Sequence, residues 1–199
     1  MHPRVFDEFD RICRERRAGG DVLEIGTARA ETTLLRLPAL EGARSKVGVN
    51  VEEVPPIDGV QLVQANANNL ASFAGGAFDA VLCNAVLEHD PFFWRSLAEM
   101  RRVAKPGGLI AIGVPGFSKL PAERFVTRLA RQPGMRSIVR RLAPGLPAAT
   151  VCLHVHLFPG DYYRFSPQAV REVFLEGLDE VEVRTVLVPP RVIGVGVKR

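Results

Sequence analysis

Residues 78–114 have the sequence FDAVLCNAVLEHDPFFWRSLAEMRRVAKPGGLIAIGV. The segment contains two short, largely apolar runs, at 78–83 and 109–114, of the kind that form strands buried on both faces of a sheet. Between them, residues 92–103 place apolar side chains at helical spacing, and Lys105-Pro106-Gly107-Gly108 ends that helix sharply. A strand, a helix and a second strand in this order predict a parallel pair in an α/β sheet.

The same alternation continues on both sides of this unit. Upstream, the patterns predict three strands, at 21–26, 46–51 and 60–64, and two helices, at 3–17 and 30–37. Downstream, two β-rich runs, 181–188 and 191–197, are separated by a link too short to contain a crossover helix. These two runs should therefore be antiparallel neighbours. The sequence predicts a mostly parallel sheet closed by one reversed strand.

The composition is that of one folded domain. Of the 199 residues, 47% are hydrophobic and 24% are charged, which excludes a disordered chain. No apolar run reaches the roughly 18 residues that a membrane span needs. Cys13, Cys83 and Cys152 are widely spaced, which argues against a disulfide framework or a zinc ribbon. Because the first residues form no apolar signal region, we expect a cytoplasmic protein without a transmembrane segment.

The positive charge is concentrated in one segment. Residues 117–147 contain seven Lys and Arg and one Glu, a net charge of +6, so the overall charge of +4 leaves −2 for the rest of the chain. The pattern predicts amphipathic basic helices. They form either a solvated face or a lid that admits an anionic substrate, an acidic carrier protein or a membrane surface. Because the main body is not basic, nucleic acid is not the favoured partner.

The first predicted strand ends in the turn Glu24-Ile25-Gly26-Thr27-Ala28. Open α/β sheets bind ligands beyond the carboxyl ends of their strands, and a Gly directly after a strand lets the backbone approach a ligand closely. Ala28 and Glu31 stand where a dinucleotide-binding turn has its second and third Gly, and the chain has no Gly-Lys-Ser/Thr phosphate loop. The turn therefore favours a ligand without a phosphate group.

Three motifs together resemble the class I S-adenosylmethionine-dependent methyltransferases, in particular the small methyltransferase-domain group. The most specific is the block from Phe78 to His89, followed by Glu99-x-x-Arg102-Val103-x-Lys105-Pro106-Gly107-Gly108. The others are Glu24-x-Gly26 and Asn66-Ala67-x-Asn69-Leu70. The resemblance covers residues 20–115, with a weaker match at 154–178. It implies a Rossmann-like, doubly wound, mostly parallel seven-stranded sheet with an antiparallel last strand, plus a helical lid insertion.

The resemblance also implies where the cofactor, S-adenosylmethionine, is held. Its methionine part would contact the first turn and the residues after the fourth strand, namely Glu24, Gly26, Thr27, Ala28, Asn84 and Ala85. The ribose would meet Asn50, and the adenine would meet Asn66 and the Ala67 backbone.

This chain departs from the family pattern in its cofactor motifs. It has Ala28 and Ala30 where the family usually has Gly, and Asn50 and Asn66 where the family often has an acid. An amide keeps its hydrogen bonds but loses charge assistance, so we expect cofactor binding to be weaker by about 1–3 kcal/mol. A second interpretation follows from these departures: a degenerate methyltransferase-fold protein with weak or no cofactor binding that acts as a scaffold or partner.

The reaction implied is an in-line displacement of the sulfonium methyl group by a small-molecule acceptor. His89 is the candidate catalytic base, because the ordinary pKa of a histidine, ~6.5, suits proton acceptance near neutral pH. Packing of the loop after the fourth strand is the alternative role for His89. A loop rich in His and Tyr supplies the candidate substrate contacts, which are His156, Tyr162, Tyr163 and Arg164. A metal site built from His154, His156 and Asp161 is not favoured, since such groupings are common by chance.

A third interpretation, a nucleic-acid methyltransferase, rests on the Arg-rich segment alone. The chain has Asn84-Ala85-Val86-Leu87 where many base-amino methyltransferases have Asn-Pro-Pro-Tyr. The first interpretation divides a single methyltransferase-like domain into an N-terminal helix (1–20), a cofactor-binding core (21–114), a basic lid with the acceptor loop (115–165), and a C-terminal helix with the closing hairpin (166–199). The acceptor atom and the oligomeric state do not follow from the sequence.

Overall fold

The computed structural model describes residues 1–116, 141, 160–187 and 190–199. Two sets of predictions fall outside these residues: the helical lid, apart from residue 141, and His156 with its neighbours Cys152 and His154. The chain divides into two units, Met1–Ser118 with Phe158–Arg199, and Lys119–Leu157. The sheet and the candidate site belong to the first unit.

A seven-stranded sheet forms the centre of this unit, with the strand order β3-β2-β1-β4-β5-β7-β6. The strands are β1 (Asp21–Ile25), β2 (Ser45–Asn50), β3 (Gln61–Gln64), β4 (Phe78–Asn84), β5 (Ala104–Pro115), β6 (Leu178–Leu187) and β7 (Pro190–Lys198). The strands β1 to β5 are parallel, and β7 lies antiparallel between β5 and β6. The predicted sheet with an antiparallel last strand is confirmed.

Helices flank the sheet where the sequence has helical periodicity. The first, α1 (Pro3–Glu15), and the second, α2 (Phe93–Val103), confirm the helices predicted at 3–17 and 92–103. Near the end of the chain, a helical turn at Pro167–Ala169 continues as a π-helical turn at Val170–Phe174. Ser166 begins it as predicted, because its hydroxyl oxygen accepts from the Ala169 N–H at 3.0 Å.

The helix predicted at 30–37 is wrong. The chain forms two short 3₁₀ turns there, Leu34–Arg36 and Pro38–Leu40. Pro38 has no N–H with which to continue an α-helical ladder. The N–H of Leu34 donates to the side chain of Glu24, and the N–H of Leu35 donates to the hydroxyl of Thr33. Contacts to a buried carboxylate therefore hold the segment between β1 and β2 in place of a regular helix.

Apolar side chains cover both faces of the sheet. On one face, α1 buries Val5, Phe9, Ile12 and Cys13 in a cluster with residues of β1, β4, β5 and β7. On the other face, α2 buries Leu97, Met100 and Val103 in a cluster that also includes Phe174. Because both faces are covered, open space for a ligand is left mainly at the ends of the strands.

At the amino ends of the strands, a charge network links three parallel strands. Lys105 Nζ lies 2.8 Å from Asp79 Oδ2, and Arg44 Nε lies 2.9 Å from Asp21 Oδ1. The hydrogen bonds from Arg44 lower the pKa of Asp21, and the hydrogen bond from Lys105 lowers the pKa of Asp79. Asp79 Oδ2 also accepts from the Asp21 N–H at 2.7 Å. The network links the amino ends of β1, β4 and β5, at the edge opposite their carboxyl ends.

Candidate functional site

The carboxyl ends of β1, β2 and β4 meet at one edge of the sheet. Ile25 pairs with Val49 of β2 and with Cys83 of β4. The N–H groups of Gly26 and Thr27 both donate to the Val49 carbonyl, at 2.8 and 3.1 Å. Because the strand order reverses between β1 and β4, the chain leaves these two strands in opposite directions and a crevice remains between them.

Two unusual backbone conformations border this crevice. Gly26 has a φ of +89°, which residues with a side chain rarely adopt. Ala85, directly after β4, has a φ of +56°, and its N–H donates to the Gly113 carbonyl of β5 at 2.9 Å. A non-glycine residue held in the left-handed region is often found at functional sites.

A cavity of about 250 Å³ lies in the crevice, and we refer to it as the switch-point cavity. Its described lining consists of Met1, His2, Val5, Gly26, Thr32, Asn84, Ala85 and Arg191. The structure thus brings together Gly26, Asn84 and Ala85, which the sequence predicts around the methionine part of the cofactor. A groove of about 850 Å³ lies at the amino ends of the strands, but no predicted site residue lines it. Open α/β sheets bind ligands at the edge where the smaller cavity lies.

Glu24 is buried beneath the turn, and both of its carboxylate oxygens accept hydrogen bonds. Oε1 accepts from the Leu34 N–H at 2.9 Å, and Oε2 accepts from the hydroxyls of Thr27, at 2.8 Å, and Thr33. Burial raises the pKa of Glu24, while these hydrogen bonds act to lower it. The hydrogen bond to Glu24 therefore holds the side chain of Thr27 in place, whereas Ala28 is exposed.

The two amides that stand in place of acids contact the chain itself. Asn50 Nδ2 donates to the Thr27 carbonyl at 2.9 Å, and Asn50 Oδ1 accepts from the Glu52 N–H at 3.3 Å. Asn66 Oδ1 accepts from the backbone and side-chain amides of Asn68, at 2.9 and 3.1 Å, and Ala67 is buried. Both amides follow or end strands at the same edge as the switch-point cavity, but neither lines it.

His89 lies in a 3₁₀ turn, Leu87–His89, that follows β4. Its Nδ1 contacts the carbonyl oxygen of Gly160, and since a carbonyl can only accept, Nδ1 carries a proton. In the neutral ring, Nε2 is then the nitrogen that accepts a proton. This Nε2 lies 3.9 Å from Glu88 Oε1.

The described part of the predicted acceptor loop, 160–165, is joined to the same turn. The N–H groups of Tyr162 and Tyr163 both donate to the Glu88 carbonyl, at 2.8 and 3.3 Å. The side chain of Tyr162 is 57% exposed. The ring of Tyr163 packs against Phe93, with 5.1 Å between the ring centroids, so of these two tyrosines Tyr162 is the more exposed.

Two predicted substrate residues remain, Arg164 and His156, and only Arg164 is among the described residues. Arg164 is paired with the carboxylate of Asp161 three residues earlier. His156 lies outside the described residues. The predicted group of His156, Tyr162, Tyr163 and Arg164 is therefore seen only in part.

Two charged residues at or near the cavity were not predicted as site residues: Glu88, which is buried, and Arg191, which is partly buried. Glu88 is 1% exposed, and within the described part of the chain neither of its carboxylate oxygens has a hydrogen-bond partner. Burial raises the pKa of Glu88, and the charges of Arg191 and His89 act against this. Arg191 Nη1 lies 3.8 Å from Glu88 Oε1. Glu88 belongs to the quoted family block, but no sequence pattern marks Arg191, because only the fold brings β7 near β4.

The described residues lack two further features, a metal-binding cluster and a membrane-spanning helix. They contain no group of three or more His, Cys, Asp or Glu side chains arranged to hold a metal ion. Among the same residues, no helix combines the length and the apolar character needed to cross a bilayer.

Comparison with known sequences relates the first half of the chain to methyltransferases. Residues 28–112 match a protein family described as "Methyltransferase domain". A curated relative, the demethylmenaquinone methyltransferase of Lysinibacillus sphaericus (strain C3-41), is 30% identical over 89 residues, which are 45% of this chain and 38% of the relative. The match therefore spans well under half of that relative's length.

Solved structures share the fold over nearly the whole chain. A SAM-dependent methyltransferase from Archaeoglobus fulgidus has a TM-score of 0.64 at 17% identity, covering 98% of this chain and 93% of the other. The 1,6-didemethyltoxoflavin-N1-methyltransferase of Burkholderia thailandensis, solved with 1,6-didemethyltoxoflavin and S-adenosylhomocysteine, has a TM-score of 0.63 at 16% identity, covering 98% and 78%. At these identities the likeness concerns the fold.

Proposed function

Because this chain has the fold of the class I S-adenosylmethionine-dependent methyltransferases and matches the methyltransferase-domain family over residues 28–112, we propose that it transfers a methyl group from S-adenosylmethionine to a small-molecule acceptor. The observation that carries the proposal is the switch-point cavity, which the Gly26 turn and the residues after β4 line together. The bound cofactor supplies an electrophilic methyl group on sulfur. The protein then contributes alignment and the exclusion of water.

The polar groups of the cavity suit the amino-acid end of this cofactor. Asn84 Oδ1 is buried and has no hydrogen-bond partner among the described residues, so an ammonium group would satisfy it. The Gly26 backbone lines the cavity beside it. Glu24 and Asn50 support this surface by holding the hydroxyl and the carbonyl of Thr27.

We place the rest of the cofactor along the same edge of the sheet. Asn50, the last residue of β2, is the proposed ribose contact, and Asn66 with Ala67, just after β3, is the proposed adenine contact. Both amide oxygens already accept hydrogen bonds from the chain. Since a carbonyl oxygen has two lone pairs, Asn50 can still accept from a hydroxyl, but without charge assistance. This arrangement supports binding that is weaker than in relatives with acids at these positions.

His89 is the proposed proton acceptor for an acceptor molecule that arrives protonated. The Gly160 carbonyl holds the proton on Nδ1, so Nε2 is the basic nitrogen of the neutral ring. The backbone of the same turn is tied to Tyr162 through the Glu88 carbonyl. The ring is thus oriented by the loop that also presents the exposed tyrosine.

A ligand titration tests the proposed cofactor. At 100 times its dissociation constant, S-adenosylhomocysteine should raise the free energy of unfolding by about 2.7 kcal/mol, which calorimetry or a thermal shift measures directly. NAD at the same concentration should give no shift, because Ala28 and Glu31 replace the glycines that a pyrophosphate requires. No shift with millimolar S-adenosylhomocysteine would count against the methyltransferase proposal.

A turnover assay tests His89. Methyl transfer from radiolabelled S-adenosylmethionine is measured over a panel of phenols, amines and carbon acids, and the best acceptor is used with the variant His89→Gln. We expect its rate to fall by about 10²–10⁴-fold if the acceptor must lose a proton, while the affinity for S-adenosylhomocysteine stays within threefold. An unchanged rate on a phenol would remove His89 from the reaction.

A second candidate function is a methyltransferase-fold protein without turnover that acts as a scaffold or partner. One observation favours it: the Asn50 amide and the Glu24 carboxylate both make hydrogen bonds within the chain. The titration above separates the two candidates, since a scaffold of this kind has no need to bind S-adenosylhomocysteine.

A further inference from the structure

Arg191 places a partly buried cation at the switch-point cavity. It pairs with Pro115 at the carboxyl end of β5, and its side chain is only 15% exposed. No Asp or Glu is among the described residues that line the cavity. Burial lowers the pKa of Arg191, but an arginine starts so high that it stays protonated. The cavity therefore carries a positive charge on its wall.

The donors of this guanidinium are not used by the described chain. Glu88 is the nearest acid, and its separation of 3.8 Å from Nη1 is too long for a hydrogen bond. Within the described residues, the Arg191 side chain makes no hydrogen bond, although a guanidinium has five N–H donors in a planar fork. A buried polar group without partners is unfavourable, so a bound ligand that supplies oxygen atoms would be stabilised there.

The sequence predicts the anion contact at Arg164, but the structure favours Arg191. Arg164 is paired with Asp161, a carboxylate of the chain itself. Arg191, in contrast, lies within ion-pair distance of Glu88 but too far from it for a hydrogen bond. Its N–H groups therefore remain able to donate to a ligand. Of these two arginines, only Arg191 lines the cavity that Gly26 and Ala85 border.

On the basis of the proposed function, we propose that Arg191 binds a carboxylate group in the switch-point cavity. A planar guanidinium and a carboxylate can form two parallel hydrogen bonds, which a neutral group cannot match. The carboxylate comes either from the amino-acid end of S-adenosylmethionine or from an acidic acceptor. In the first case Asn84 Oδ1, at the same cavity, accepts from the adjacent ammonium group.

Calorimetric titrations of wild type and Arg191→Gln distinguish the two sources. The probes are S-adenosylhomocysteine, its decarboxylated analogue, and the pair benzoate and benzamide added to the S-adenosylhomocysteine complex. Arg171→Gln is the matched control, because it removes the same charge from an exposed position on the C-terminal helical turn. This control should bind every probe as wild type does.

The two possible sources of the carboxylate, the cofactor and the acceptor, predict different changes in affinity. If the carboxylate belongs to the cofactor, Arg191→Gln weakens S-adenosylhomocysteine by about 10- to 100-fold and leaves the decarboxylated analogue unchanged. If it belongs to the acceptor, S-adenosylhomocysteine binds normally, and a preference of wild type for benzoate over benzamide is lost in the variant. Equal affinities of wild type and Arg191→Gln for all four probes overturn the proposal.

Failure of the proposed function gives a different result. Wild type would then not bind S-adenosylhomocysteine, and benzoate and benzamide are titrated into the free protein instead. A preference for benzoate that depends on Arg191 would support the carboxylate site by itself. If the free protein shows no preference for benzoate over benzamide, the carboxylate site is overturned as well.

A second variant covers the case in which Arg191→Gln does not fold because Glu88 is left as a lone buried charge. Glu88→Gln combined with Arg191→Gln removes both charges, and circular dichroism with urea unfolding checks its fold. The double variant should show the same losses as the single one. Wild-type affinities in a folded double variant overturn the proposal.

Discussion

Gly26→Val should abolish binding of S-adenosylhomocysteine and lower the free energy of unfolding by about 2–6 kcal/mol. Two effects add. The backbone at Gly26 has a φ of +89°, which a β-branched residue adopts only with strain. A β-carbon at Gly26 would also overlap the Cγ2 methyl of Val86, which packs against this turn. Urea unfolding and calorimetric titration measure the two losses separately.

Gly59→Val is the matched control. Gly59 has a φ of +71°, but a β-carbon added there meets no atom within 4 Å, and the residue lies outside the cavity. The control should lose only the about 1–3 kcal/mol that the backbone conformation accounts for, and it should bind the ligand normally. Normal binding by Gly26→Val, in contrast, would mean that the cofactor does not lie at this turn.

Replacing Glu24 by leucine should destabilise the protein by about 3–5 kcal/mol. The change leaves the Leu34 N–H without its acceptor, and the hydroxyls of Thr27 and Thr33 lose theirs as well. Glu24→Gln keeps the shape and one carbonyl oxygen, so it should be destabilised much less. Equilibrium unfolding in urea at neutral pH compares the three proteins.

Wild type and Glu24→Gln should also differ in how their stability depends on pH, and the pKa of Glu24 sets the sign of that difference. Burial raises the pKa of Glu24 above its ordinary value of 4.5, so the folded state binds this proton more tightly than the unfolded state does. The contribution of Glu24 to stability is complete below pH 4.5 and declines as the pH rises through the folded pKa. Wild type should thus lose stability relative to Glu24→Gln as the pH rises above 4.5 and through the folded pKa of Glu24. If the difference in the free energy of unfolding between the two proteins stays constant with pH, or changes in the opposite direction, the raised pKa of Glu24 is contradicted.

The centre of the sheet could be predicted from the sequence because β1 and β4 contain largely apolar runs that end at Gly or Asn. Val22 to Ile25 and Ala80 to Cys83 are buried on both faces, which is why they contain almost no polar side chain. The reversed strand followed from the short link before Arg191. The family resemblance placed the Gly26 turn beside Asn84 and Ala85, and in the structure these residues line one cavity.

What could not be predicted depends on contacts between distant residues. The segment after Gly26 has a helical pattern, but the Glu24 carboxylate accepts a hydrogen bond from the Leu34 N–H, and the segment forms short 3₁₀ turns. Glu88 lies in the family block and Arg191 in no recognised motif, and the two are far apart in the sequence, so their proximity exists only in the folded sheet. Likewise, no pattern shows that Asn50 turns its amide toward the Thr27 carbonyl.

The two outer strands of the sheet bear on self-association. The strand β3 has only four residues and begins and ends with Gln. The opposite outer strand, β6, is longer, but its pairing with β7 is interrupted between Asp179 and Glu182, where Glu180 has a φ of +50°. Short, polar or bulged outer strands are poor templates for a strand of another molecule. The protein should therefore resist edge-to-edge aggregation, even though most of its sheet interior is apolar.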